Sequence, residues 1–136
     1  MDEATPILTA EWLAKADEDY RAAQTLLAAG IRTPALFHCQ QAAEKALKAY
    51  LCFHRQPLEK THDITRLIEV AASIDTEWEK LLPSGVILSP LAVEFRYPGA
   101  GDLPDDHAAL AATREILLAT RQKLPVNLFP KAWPND

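Results

Sequence analysis

The bias among the aliphatic residues constrains this chain more than any other feature: 23 Ala and 19 Leu stand against 4 Val and 7 Ile. Unbranched side chains keep their rotamer freedom in a helix, whereas β-branched ones lose it there and fit pleated strands better. The composition therefore predicts an all-α protein before any pattern is read. At 136 residues the chain has room for about one domain. With 49% hydrophobic and 24% charged residues it can bury a core and is not a disordered chain.

Apolar spacing resolves the bias into helices. From Thr9, read as an N-cap, the positions Leu13, Ala16, Tyr20, Ala23 and Leu27 advance by threes and fours up to Gly30, a C-terminal stop. Thr33-Pro34 opens a second helix through Phe37, Gln40, Ala43, Leu47, Tyr50, Leu51 and His54, ending before Pro57. Thr61-His62-Asp63 begins a third, with Ile64, Leu67, Ile68 and Ala71 on one face. Trp78, Leu81 and Leu82 read as core plugs, and residues 86–96 as a helix interrupted by Pro90. The stretch 97–102 reads as a loop, and Pro104-Asp105-Asp106 as the acidic start of a last helix reaching about Leu124. The expected architecture is an up-and-down bundle of four to five antiparallel helices over residues 1–125. A Pro- and aromatic-rich tail, residues 126–136, either packs back along the body or reaches a partner.

No run of about 18 uncharged apolar residues occurs, and the first twenty positions hold six acids and one Lys, unlike a basic leader. A cytoplasmic protein with no membrane partner is the expectation. Cys39 and Cys52, about 20 Å apart on one helix, are too distant to bridge and lack paired zinc spacing, so neither a metal nor another cofactor is indicated.

The net charge of −5 hides a segregation. Residues 1–20 carry −5 and residues 67–112 carry −6, while residues 21–66, with three of the four His, carry +4. A basic, His-containing stretch on an acidic protein is a candidate anion site. Within it, Gln40, Glu44 and Lys48 follow an i, i+4, i+8 line beside Gln41 and Lys45. These side chains form either a charge-paired face with a buried Gln, or a polar ridge turned to a partner or nucleotide. Asp63 suits a helix start, and with the adjacent His62 it reads either as a structural cap or as a catalytic pair with His62 as the proton carrier. Arg96 is suited to hold a phosphate or a carboxylate such as Glu94.

Four stretches in order resemble the HEPN domains (higher eukaryotes and prokaryotes nucleotide-binding): Trp12 with Lys15 to Tyr20, Phe37-His38 through Ala49, Lys60 to Ile64, and Arg96-Tyr97-Pro98. The resemblance implies an all-α bundle, commonly a homodimer, similar to the helical domain attached to kanamycin nucleotidyltransferase. It also implies a small prokaryotic protein acting with a minimal nucleotidyltransferase, often as a toxin–antitoxin pair, with Gln40, Gln41, Glu44, Lys45, Lys48, Asp63 and Tyr97 contacting nucleotide or partner. Some members are metal-independent ribonucleases with a late Arg and His four to six residues apart. In such an enzyme His moves the proton of an RNA 2′-hydroxyl while Arg stabilises the phosphorane. Here that role would fall to Arg96 with His62 or His107, but ten residues separate Arg96 from His107. The fitting spacings, Arg32 to His38 and Arg55 to His62, occur early.

Overall fold

The computed structural model describes residues 2–92, 98 and 103–135. Among them are five α-helices, α1 (Ala4–Ala28), α2 (Arg32–Phe53), α3 (Ile64–Ala72), α4 (Leu82–Leu88) and α5 (Asp106–Lys123), and no strand. The all-α bundle anticipated from the Ala and Leu excess is the observed fold. Arg96 and Tyr97, and most of the loop expected at 97–102, lie outside the described residues.

α1 starts earlier than expected. Its first turn is stabilised by Asp2, whose Oδ1 accepts from Thr5 N at 2.7 Å and Thr5 Oγ1 at 2.9 Å. Pro6 is tolerated because amides in a first turn have no helical partner. Thr9 is therefore not a cap but a buried helical residue donating to Thr5 O at 2.7 Å. The other end matches the reading: Gly30, at φ 77°, donates to Leu27 O while Ile31 N donates to Leu26 O. This paired closure needs a left-handed residue, and it turns the chain straight into α2, whose N-cap is Ile31 rather than the expected Thr33, which lies inside the first turn.

α2 is the central element, with fourteen of its 22 residues buried. Ala42, Ala43, Ala46 and Ala49 let neighbouring backbones approach closely, and Leu36, Leu47 and Leu51 fill the space between. The short turn at Gly30 makes α1 and α2 antiparallel. α5 runs in the same direction as α2: Arg32 pairs with Asp106 at the two helix starts, and seven residues into each the Thr113 hydroxyl donates to Cys39 O at 3.2 Å.

Residues 54–63 return along α2 and place Asp63 as the N-cap of α3, its carboxylate accepting from Arg66 N. Ile64, Leu67, Ile68 and Ala71 are all buried, as their spacing indicated. A 3-10 turn, Thr76–Leu81, seats Trp78 in the core with its ring centroid 5.1 Å from that of Tyr50. α4 then passes close over α3, since a Cβ on Gly85 would lie 3.0 Å from Ile68 Cδ1. A 3-10 turn, Ser89–Ala92, carries Pro90 where the interruption was expected. Asp105 caps α5 by accepting from Ala108 N at 3.0 Å. After α5 the tail folds back: Trp133 is buried in the same core, and its Nε1 donates to Leu117 O at 2.9 Å.

Candidate functional site

At 100° per residue, Gln40, Glu44, Lys48, Gln41, Lys45 and His38 follow one another around about 160° of α2. This polar arc is flanked by α1 on the Lys45 side and by the returning loop on the Gln40 side. The centre of the arc is a carboxylate. Glu44, 4% exposed, accepts on Oε1 from His62 Nδ1 at 2.8 Å and Gln40 Nε2 at 3.1 Å, and on Oε2 from Lys48 Nζ at 3.0 Å. Burial favours the neutral acid, but the hydrogen bonds from His62, Lys48 and Gln40 outweigh it and hold the pKa below the usual value. Gln40 also donates to His62 O at 2.7 Å, and Gln41 donates to Gln40 Oε1 at 2.7 Å.

An ionised carboxylate only accepts, so His62 Nδ1 carries its proton and Nε2 is the ring atom left for other partners. The His62 side chain is 65% exposed. The chain thus presents an imidazole at the surface with its tautomer and orientation fixed from below.

A second unit of the same composition lies at the other rim. Asp19 of α1, its side chain 10% exposed, accepts from His38 Nδ1 at 2.7 Å and Lys45 Nζ at 2.6 Å. Sequence reasoning passed over this carboxylate as part of an acidic opening stretch. Asp17 and Asp19 lie beside the apolar positions Ala16 and Tyr20, and that interruption of the stripe was the available signal. On the same side of the arc, the Lys48 ammonium lies 5.8 Å from the ring centroid of Trp12.

The +4 stretch is not a free cationic surface. Six of its seven bases are ion-paired: Arg21 with Asp17, Arg32 with Asp106, Lys45 with Asp19, Lys48 with Glu44, Arg55 with Asp2, and Arg66 with Glu59. Four of those carboxylates come from outside the stretch. At those six bases an anion gains attraction only by sharing or displacing a carboxylate already bound.

The remaining candidates separate. Asp63 is exposed and its Oδ1 accepts from Ser89 Oγ at 3.0 Å and Arg66 N, which ties α3 to the turn after α4. His107 is exposed in the first turn of α5 beside Asp106, which is anchored at Arg32. His62 is anchored at Glu44, twelve residues and about 18 Å further along α2. His107 and His62 are held at different levels of the bundle.

Cys39 offers no nucleophile, because burial, only partly opposed by the Thr113 hydroxyl, pushes its thiol up to about 11. A wider cleft of about 670 Å³, lined by residues that include Tyr50, His54, Asp75 and Lys123, sits at the far end of the bundle. Lys123 already spans it, 2.7 Å from Asp75 and 3.2 Å from Glu77. No helix among the described residues is long and apolar enough to cross a membrane.

The family model described as HEPN domain matches residues 9–123, from α1 to the end of α5. Neither a curated protein nor a solved structure matches the chain.

Proposed function

The chain belongs to the HEPN domain family, a nucleotide-binding or ribonuclease-type module, and on that footing we propose that it binds nucleotide phosphate at the polar arc of α2. The observation that carries this reading is the Glu44–His62 pair: a buried, ionised carboxylate holds an exposed imidazole by Nδ1 at 2.8 Å and leaves Nε2 to meet a ligand. Protonated, Nε2 donates to a phosphate oxygen. Gln41 and Lys45, both half-buried on the same arc, are the next donors an anion would meet. Asp63 supports the loop that bears His62, and Tyr97 remains a candidate contact from the family resemblance.

The partner proposed for this module is a minimal nucleotidyltransferase, with the chain as a homodimer in a prokaryotic toxin–antitoxin pair. Two measurements test the reading. Calorimetric titration with AMP and ATP is expected to give binding that His62→Gln weakens about tenfold or more. Co-purification with the nucleotidyltransferase of a neighbouring gene is expected to recover a complex. Absence of both overturns the proposal.

The same pair favours one second reading, a metal-independent ribonuclease. A carboxylate-held imidazole is also suited to take the proton from an RNA 2′-hydroxyl, with Arg96 as the phosphate-binding partner. That reading requires RNA cleavage in the presence of a chelator, lost in both Arg96→Ala and His62→Ala. An Arg96→Ala protein that cleaves at the full rate refutes it.

A further inference from the structure

Beside Lys48, the outer face of α1 carries a slot of about 220 Å³ lined by Leu8, Glu11, Trp12 and Lys15. Its walls are largely apolar, and its one ring system is the half-buried indole of Trp12. The indole Nε1 is buried and has no hydrogen-bond acceptor, so the part of Trp12 open to the slot is carbon. Leu8 is 47% exposed, an apolar side chain open to solvent on the wall of the slot. Of the polar residues lining it, Glu11 supplies an acceptor and Lys15, whose ammonium lies 3.6 Å from Glu18 Oε2, a donor, both exposed.

The slot leads to the polar arc. Lys48 Nζ is 5.8 Å from the Trp12 centroid and 3.0 Å from Glu44 Oε2, and the other oxygen of Glu44 holds His62. A ligand combining a flat ring with an anionic tail would place the ring against the indole and the tail toward Lys48 and His62. We propose that the Trp12 slot is the nucleobase subsite of the nucleotide site. The inference rests on the phosphate reading given above. The indole face supplies stacking, which tolerates any base. Glu11 and Lys15 address the amino and carbonyl groups of the ring edge, which favours bases that carry an exocyclic amine near an acceptor.

Trp78 and Trp133 are 0% and 3% exposed, so a change in tryptophan emission on adding a soluble ligand reports Trp12. The full chain is titrated with ATP and, separately, with inorganic triphosphate, followed by fluorescence and by heat. ATP is expected to quench the emission and to bind about tenfold more tightly than triphosphate, which binds without quenching. Trp12→Phe should abolish the quench. Leu8→Gln, at an exposed position where folding is unaffected, should bring the affinity for ATP down to that for triphosphate. ATP binding without a quench, or with an affinity equal to that of triphosphate, overturns the base subsite and leaves the phosphate site standing. Failure of both ligands to bind overturns the phosphate site and the base subsite together.

Discussion

Lys45 Nζ lies 2.6 Å from Asp19 Oδ2, joining a cation of the most basic stretch of the sequence to an anion of its acidic opening stretch. His38 shares the same carboxylate at 2.7 Å. Antiparallel packing of α1 on α2 makes this neutralisation possible, and it converts a charge segregation along the chain into paired charges in space. Asp19→Asn keeps the shape and removes the charge, leaving a half-buried Lys and His with a weaker acceptor. The expected loss is about 2 kcal/mol in urea unfolding. An unchanged midpoint would show that solvent already satisfies both groups.

Glu44 gives stability a defined dependence on pH. Its folded pKa lies below the usual 4.5 because the bonds from His62, Lys48 and Gln40 outweigh burial. Its contribution is therefore complete above about pH 4.5 and is lost as the pH falls through the lower, folded value. Unfolding free energies of the wild type should fall in that acid range more steeply than those of Glu44→Gln. The variant should also be about 2–3 kcal/mol less stable at pH 7, since it strands a buried Lys48. Parallel acid profiles for the two proteins would contradict the assignment.

Arg55 closes α2 in the left-handed region at φ 57°, with Arg55 N donating to Cys52 O and Gln56 N to Leu51 O. Glycine occupies the equivalent place after α1. Replacing Arg55 by Gly removes a backbone cost of about 1 kcal/mol. It gives up an exposed pair with Asp2 worth less than that. Thermal unfolding should move upward by a net gain of about 0.5 kcal/mol. A lower melting temperature would mean that the Asp2 pair outweighs the strain.

Trp133 ties the tail to the body, buried among core residues and bonded to Leu117 O at 2.9 Å. Phe129 packs edge-on against it at 5.1 Å. Removing residues 126–136 should therefore destabilise the bundle, and Trp133→Ala alone by about 3–5 kcal/mol, as read by urea unfolding. A truncated chain as stable as the full one would leave the tail free for a partner.

The bundle was legible because its signals are local. Asp63 and Asp105 cap the helices their positions suggested, and Gly30 stops α1 where the periodicity ends. The start of α1 was misplaced because Thr9 and Asp2 are both good first-turn acceptors, and only the fold decides which is buried. At the candidate site the residues of α2 could be named from spacing, but their function could not. Whether Glu44 faces solvent depends on where the loop bearing His62 returns, and whether Lys45 is free depends on Asp19, 26 positions away. Pairings of that kind are long-range and leave no mark on a single helical period.

The account turns on whether the imidazole held by Glu44 meets a ligand. Calorimetric titration of the wild type and of His62→Gln with ATP, alongside thermal unfolding of both, tests this most directly. The account predicts binding to the wild type, an affinity at least about tenfold lower in the variant, and a variant that is still folded and unfolds cooperatively. Equal ATP affinities in the two proteins, or no binding to the wild type, would contradict it.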